Sequence, residues 1–225
     1  MKKYLLMLFV AMFGVSVSVC AKDTPQYAKV LLTLKDKTVL NGYLCCDLHS
    51  VNKKIFVSET IDEKSVSYQI AEIDSLVVTY TDGVIRTYRP IYVWDGLRKK
   101  VSKTPVLASV CYTGGNITGY MVPSMYVKST APVPSNYFQS YTTQKRAWTY
   151  YKKIKSESEL IKYYYSYIPS KKTPKIKSIL KNIKNNFKKE DFQYISDTVE
   201  SQGITAEMII QKPWLLLEIL DKRPK

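Results

Sequence analysis

The chain has 225 residues, 45% of them hydrophobic, with 34 Lys and Arg against 19 Asp and Glu and a formal net charge of +15. This length suits one large domain or two small ones, each with a hydrophobic core. The sequence contains no P-loop, no G-x-G-x-x-G and no H-E-x-x-H pattern, which excludes those nucleotide-binding and zinc-protease motifs.

Residues 1–21 are predicted to be a secretory signal peptide. Lys2 and Lys3 precede the apolar run Tyr4–Val19, and the chain turns polar at Lys22. An apolar run behind lysines is typical of export, and this one is marginal for a membrane-spanning helix, which needs about 20 apolar residues. Val19-Cys20-Ala21 fits the small-x-small cleavage rule. We therefore expect an exported protein, periplasmic or secreted, that starts at Lys22.

Cys20 leaves an alternative open, because it could be the lipidated cysteine of a bacterial lipoprotein. The residue before such a cysteine is usually small, whereas here it is Val19. We favour ordinary cleavage and keep a lipid anchor at Cys20 as the alternative. No later segment is long and apolar enough to span a bilayer, so the predicted mature protein is soluble or peripheral.

Residues 22–100 are predicted to form a β-barrel-like region. Apolar and polar residues alternate from Val30 onward, which is the period of a half-buried strand. Ala71–Ser75 is predicted to be one helical turn, and Asp82-Gly83 predicts a hairpin. The predicted strands are Val30–Leu34, Val39–Leu48, Ile55–Thr60, Val66–Ile70, Leu76–Tyr80 and Val84–Tyr88.

Residues 101–170 are predicted to form a second β region, rich in tyrosine. Gly114-Gly115-Asn116 predicts the turn of a hairpin, and Pro123–Pro134 is predicted to be a loop. Leu160–Ile168 fits either a strand or a short helix, because apolar runs of this length are ambiguous. The predicted strands are Val106–Tyr112, Ile117–Val122, Tyr137–Thr142 and Ala147–Ile154.

Two further patterns in the β regions each allow two interpretations. Asn41-Gly42-Tyr43-Leu44 and Thr118-Gly119-Tyr120-Met121 are similar, which indicates either two copies of one β unit or chance. Tyrosines lie among lysines, as in Tyr150-Tyr151-Lys152-Lys153. Aromatic and cationic side chains in this arrangement can stack on bases or sugars and meet anionic groups. We favour the simpler interpretation that these tyrosines cover a half-buried sheet.

Residues 171–225 are predicted to form a helical segment. Thr173-Pro174 predicts an N-cap followed by proline in the first turn. Apolar residues then follow at helical spacing, namely Ile176, Ile179, Leu180, Ile183 and Phe187. A second helix is predicted from Glu190 to Gly203, and a third is capped by Thr205 and broken at Lys212-Pro213. The complete chain is thus predicted to have an α+β fold, with an antiparallel β-rich region before the helices.

Two surfaces of the helical segment are candidates for binding. Residues 144–190 hold 14 Lys and Arg against 3 Asp and Glu, and a solvated face is the simpler interpretation of such a basic stretch. The candidate anion-binding residues are Lys177, Lys181, Lys184 and Lys188. The apolar end must be buried on the sheet or on a partner. Its candidate partner-surface residues are Trp214, Leu216, Leu217 and Leu220.

Three cysteines remain after the predicted leader. Cys45 and Cys46 are adjacent on a predicted strand, so their side chains point to opposite faces. Only one can lie in the core, and that one could pair with Cys111 in an oxidising compartment. Three buried thiols are the equal alternative. A zinc site is not expected, because there is no C-x-x-C and only one histidine.

Residues 30–57, VLLTLKDKTVLNGYLCCDLHSVNKKIFV, resemble the first half of an Sm-like small barrel. Gly42, Leu44 and Asn52 lie at the spacing of that family, and Asp47 is one place early. The resemblance implies a barrel topology and an RNA-binding loop. The layout is also similar to uncharacterised exported proteins of Bacteroides-like bacteria, which implies an envelope location and no particular activity.

The catalytic residues of an enzyme are not evident in the sequence. His49 is the only histidine, and a loop histidine in solvent is the simpler interpretation than a nucleophile–base pair with Cys45 or Cys46. Asp74, Asp82 and Asp95 are loop carboxylates without the spacing of a site. We expect a non-enzymatic envelope protein without cofactor or metal that binds a protein partner or an anionic surface. The alternatives are a hydrolase with a Ser–Lys or carboxylate site and an Sm-like nucleic-acid binder, although export argues against a nucleic-acid partner.

Overall fold

A computed structural model describes residues 28–46, 48, 50–80, 83–129, 142–155, 160–167 and 173–224. The predicted leader, Cys20, Asp47, His49 and Asp82 lie outside these residues, as does most of the predicted strand at 137–142. The predictions for those residues stay predictions.

The N-terminal side of the chain forms a β-sheet of 12 strands. The first eight strands are β1 Lys29–Leu34, β2 Val39–Leu44, β3 Lys54–Ser58, β4 Val66–Gln69, β5 Ile73–Thr79, β6 Ile85–Ile91, β7 Val93–Asp95 and β8 Lys100–Val101. The others are β9 Val106–Thr113, β10 Ile117–Ser129, β11 Thr142–Ile154 and β12 Ile161–Tyr167. A 3₁₀ turn, Ile70–Glu72, takes the place of the helical turn predicted at Ala71–Ser75.

Four helices follow in the part of the chain that the structure describes. They are α1 Ile176–Ile183, α2 Lys189–Ser201, α3 Ala206–Gln211 and α4 Leu215–Asp221, with a 3₁₀ turn at Lys184–Asn186. A strand-rich region before a helical segment confirms the predicted α+β class.

The strands lie in the order β4-β3-β2-β1-β5-β6-β9-β10-β11-β12-β7-β8. Neighbours are antiparallel except β12 and β7. The described sheet does not close into a barrel, which corrects the barrel prediction for residues 22–100. The reason is that β5 pairs with both β1 and β6. Both edges of β5 are then occupied, and β4 is left as an end of the sheet.

Two large hydrophobic cores lie along this sheet. One is formed by β1–β6 and includes Leu32, Ile55 and Leu76, all of them fully buried. The other lies between β9–β12 and the four helices. In β1 the buried residues Val30 and Leu32 alternate with exposed neighbours, as the period of two predicts.

The helices bury the predicted apolar face, with different boundaries. Ile179 and Ile183 are buried. The helix begins at Ile176 after Lys175, so the predicted cap at Thr173 is wrong by two residues, a common error at a fraying helix end. The Thr205 cap is confirmed, because its hydroxyl oxygen accepts from the Met208 N–H at 3.4 Å. Gly203 follows α2 at a φ of 61°, a conformation that favours glycine.

The apolar C-terminal end packs on the protein's own sheet. Leu216 and Leu217 are 0% exposed and Leu220 is 7% exposed, while Trp214 is partly buried against the same core. Of the two possibilities for this segment, burial on the sheet is the one observed. The protein's own core therefore covers Leu216, Leu217 and Leu220 and part of Trp214, so the three leucines are not exposed to a partner in this structure.

One further prediction about the β regions is corrected, two strands were missed, and one open alternative is decided. The loop predicted from Pro123 begins as part of β10, which continues to Ser129 and pairs with β11 along its whole length. Strands β7 and β8 were not predicted, because three and two residues are too few to show a period. The ambiguous segment at Leu160 forms a strand, β12, held between β11 and β7.

The three described cysteines, Cys45, Cys46 and Cys111, are partly buried free thiols, so no disulfide joins them in this structure. Cys46 packs against the core of β1–β6, and Cys111 packs against the core under the helices. The Cys46 sulfur accepts from the Phe56 N–H at 3.3 Å, and the Cys45 thiol donates to the Tyr43 carbonyl at 3.4 Å. Cys111 and Cys46 thus belong to different cores.

Candidate anion-binding cleft

The seam between β6 and β9 joins the two halves of the sheet. It consists of three residue pairs, Arg89 with Ala108, Pro90 with Leu107 and Ile91 with Val106. Proline has no N–H to donate, so its presence weakens a ladder. Both strands continue beyond Arg89 and Ala108, but they form no further pair with each other.

A β-bulge in β9 accompanies this separation. Tyr112 pairs with Gly119 and Val110 pairs with Tyr120 in β10, which leaves Cys111 as an extra residue. Such an extra residue bends its strand and increases the local twist. The bulge therefore explains why β9 bends away from β6.

A cleft of about 590 Å³ lies where the two strands separate. Its walls come from β6, β9 and Tyr120 of β10. The lining residues include two arginines, Arg86 and Arg89, and three residues with a hydroxyl group, Thr87, Ser109 and Tyr120. Groups of these types can bind a carboxylate or phosphate through charge and hydrogen bonds.

Arg86 is a half-buried cation inside this cleft. Its Cζ atom lies 5.0 Å from the centroid of the Trp148 ring, and Nη1 lies 3.9 Å from the Met121 sulfur. A guanidinium over an indole face is a favourable cation–π contact. Among the residues that the structure describes, no carboxylate forms an ion pair with Arg86 or Arg89. The Arg86 guanidinium is thus held against an aromatic ring rather than paired with a described carboxylate.

Cys111 does not neutralise Arg86. Burial raises the pKa of the Cys111 thiol to about 12, and the nearby Arg86 charge lowers it only in part. The thiol is therefore protonated at neutral pH and carries no charge. Ser109 is 6% exposed, so its hydroxyl also lies in a largely dry part of the wall. An anion bound there would meet Arg86 in surroundings that screen charge less than water does.

The predicted anion-binding lysines lie elsewhere and are all exposed. Lys177 and Lys181 are on α1, Lys184 begins the 3₁₀ turn and Lys188 caps α2. The turn at Lys184–Asn186 divides the long helix that was predicted to carry all four lysines. These positions offer separate surface charges, and exposed charges interact weakly in water.

Much of the basic, tyrosine-rich stretch belongs to the core. Tyr150, Tyr164 and Tyr165 are each at most 5% exposed, and the ring centroids of Tyr150 and Tyr165 lie 6.0 Å apart. Even Lys152 is buried, with its ammonium 4.5 Å from the centroid of the Phe187 ring. These tyrosines pack within the protein, in agreement with the simpler interpretation of the pattern.

The carboxylates considered as catalytic have structural contacts. Asp74 forms an exposed ion pair with Lys37 at 3.7 Å. Asp95 accepts from the N–H groups of Leu97 and Arg98 in the turn after β7. Within the described residues, no group of three or more His, Cys, Asp or Glu is arranged to hold a metal ion.

Sequence reasoning missed Arg86 and Arg89. Arg86 lies in the strand predicted at Val84–Tyr88, and Arg89 lies one residue beyond its predicted end, but a charged residue in a hairpin strand is ordinarily on a solvated face. The available signal was Pro90, because a proline inside a strand indicates an edge or a bulge. That signal points to an irregular seam in the sheet, where such arginines can serve as a site.

No family model, curated protein or solved structure matches this chain. A search for membrane spans found no helix of sufficient length and hydropathy among the described residues. The cleft therefore has to be interpreted from its own chemistry.

Proposed function

We propose that this protein is an exported, non-enzymatic binding module of the cell envelope whose partner carries a carboxylate or phosphate group. The ligand group binds in the cleft between β6 and β9. The observation that carries this proposal is Arg86, a half-buried guanidinium with no ion-pair partner among the described residues, in a cleft that also holds Arg89.

The physical reason is the cost of an unpaired charge in a partly dry site. A half-buried cation has lost part of its hydration and regains little from uncharged neighbours. An anionic ligand supplies the missing interaction, and a guanidinium binds carboxylate and phosphate through two parallel hydrogen bonds. The net charge of +15 also favours the approach of anions over cations.

Export is the part of the proposal that the leader-like residues 1–21 support. The pattern of Lys2, Lys3 and the apolar run is typical of a secretory signal. The proposed location is periplasmic or secreted, with a lipid anchor at Cys20 as the alternative.

Calorimetric titration with citrate and with inorganic pyrophosphate tests the site. We expect the double variant Arg86→Gln, Arg89→Gln to bind at least about ten-fold more weakly than the parent, because each lost charged hydrogen bond is worth about 1.5–3 kcal/mol. The matched control is Lys177→Gln, Lys181→Gln, which removes the same charge from exposed positions on α1. It should bind as the parent does.

Equal weakening in both double variants would contradict the cleft and favour a general effect of net charge. Weakening in the lysine variant alone would move the site to the helical face. Trp148 gives a second readout, because an anion that engages Arg86 alters the cation–π contact with this ring. The fluorescence change on binding should be lost in Trp148→Phe.

A further inference from the structure

We propose that the natural ligand of the cleft is an extended acidic peptide segment that adds as a strand alongside β6. This inference rests on the proposed function and specifies its ligand. It uses a place where two neighbouring strands, β6 and β9, continue without pairing with each other.

The backbone of β6 has an edge that is not paired with β9. Ile85, Arg86 and Thr87 pair with β5 on one side, through Thr79, Val78 and Val77. On the other side they form no pair with β9. In an antiparallel sheet, residues alternate in directing their N–H and C=O groups to one neighbour or the other. Part of this edge therefore points into the cleft, where an added strand can hydrogen-bond with it.

The two arginines on β6 favour an acidic peptide. Arg86 and Arg89 are three residues apart on β6, so their side chains leave opposite faces of the sheet. The contacts of the two arginines are consistent with opposite faces. Arg86 contacts Met121 of the core beneath the helices. Arg89 instead lies opposite Ala108, which belongs to a small cluster separate from that core. Side chains of an added strand also alternate between faces, so two acidic residues at odd spacing can reach both arginines.

Two exposed apolar side chains also favour a peptide. Ile85 is 65% exposed and Val110 is 56% exposed, and both line the cleft. They lie on β6 and β9, beyond the last pair between these strands. An extended peptide can cover both with its own apolar side chains, whereas a small anion cannot. The cleft therefore fits a peptide with acidic residues on both faces and apolar residues between them.

The test compares two synthetic eight-residue peptides on the full chain. Both carry glutamates at positions three apart among valines and threonines. One has ordinary amide groups, and the other has backbone N-methyl groups on alternate residues along the edge that would face β6. N-methylation keeps every charge and removes the donors that strand addition needs. We expect the ordinary peptide to bind at least about ten-fold more tightly, since several backbone hydrogen bonds are lost together.

Hydrogen–deuterium exchange provides a measurement that needs no variant. Amides in segment 85–87 should exchange more slowly with the ordinary peptide than with citrate.

The spacing of the glutamates in the peptide is a further test, because glutamates two apart lie on one face and should bind more weakly than glutamates three apart. Arg86→Lys, which keeps the charge, should retain part of the binding that Arg86→Gln loses.

The possible failures are distinguishable. If both peptides bind equally and the Arg86→Gln, Arg89→Gln variant loses both, strand addition is overturned and the anion-binding function stands. The same holds if citrate or pyrophosphate binds and neither peptide does. If none of these probes binds the parent protein, the proposed function is overturned as well.

Discussion

Asp221 joins the last helix to the β9–β10 turn. Its carboxylate accepts from the N–H groups of Gly115 and Asn116 at 2.9 and 2.8 Å, and from the Tyr112 hydroxyl at 3.0 Å. Burial raises the pKa of this carboxyl, but the hydrogen bonds lower it further, and the result lies below the usual 3.8. Asp221 therefore contributes stability in its charged form.

Replacing Asp221 with asparagine should reduce the dependence of stability on pH. The folded pKa lies below the unfolded one, so the contribution is present above about pH 4 and is lost as pH falls through the folded value. We expect a loss on the order of 1 kcal/mol at pH 7, because water reaches this group and weakens its bonds. Thermal melting from pH 7 to pH 3 measures the effect.

The control for Asp221 is Asp74→Asn. Asp74 meets only an exposed lysine at 3.7 Å among the described contacts, and such pairs contribute little. Its melting curve should follow that of the parent across the pH range. An Asp221→Asn protein with the same loss of melting temperature between pH 7 and pH 3 as the parent would contradict the role assigned to this carboxylate.

The glycine of the repeated Gly-Tyr-apolar pattern has the same role in both strands. A Cβ atom on Gly42 would lie 2.2 Å from the backbone oxygen of Ser58 in β3. A Cβ atom on Gly119 would lie 3.0 Å from Leu217 of α4. In both strands glycine permits a close approach, by a neighbouring strand in one case and by a helix in the other.

Gly42→Ala should therefore destabilise the sheet. The obstructing atom belongs to the backbone of β3, so the strands themselves must move apart, and overpacking of this kind costs about 1–3 kcal/mol. Gly115→Ala is the matched control, because a Cβ there meets nothing within 4 Å. Urea denaturation followed by circular dichroism compares the two. A Gly42→Ala midpoint equal to that of Gly115→Ala would show that β2 and β3 are not so close.

The helices stabilise the C-terminal half of the sheet across one shared core. Leu217 of α4 is fully buried, and its side chain would be the nearest contact of a Cβ on Gly119 of β10. In the part of the chain that the structure describes, the second large core, under β1–β6, contains no residue of the helices. The two halves thus have largely separate interiors, although Leu107 of β9 belongs to the core of β1–β6, and they meet at the seam that opens into the cleft.

Leu217→Ala should lower the free energy of unfolding by about 2–5 kcal/mol, through lost burial and the cavity left behind. The control is Met208→Ala on α3, whose side chain is 45% exposed; we expect a change below about 1 kcal/mol. Urea denaturation measures both. If the apolar end were instead a partner surface, Leu217→Ala would leave the stability of the isolated protein unchanged.

Features that depend on neighbouring residues were predicted from the sequence, whereas features that depend on residues far apart in the chain were missed. The strand at Val30, the face of Ile179 and Ile183 and the cap at Thr205 follow from spacing along a few residues, and the structure bears them out. The continuation of β10 past Pro123 was missed, because a proline there reads as a break while its partner β11 is far along the chain. Arg86 was missed for a related reason, since its neighbour Trp148 lies 62 positions later (148 − 86).

The sequence by itself determined the α+β class, the order of most elements and which face of each is apolar. Those properties follow from backbone periods of 2 and 3.6 residues, which are written into neighbouring positions. Only the tertiary structure decided that the sheet stays open, that Leu216 and Leu217 are core, and that Arg86 lies in a cleft. Those outcomes depend on which distant strands pair and where pairing stops. The choice among alternative strand pairings is decided by the packing of the whole molecule.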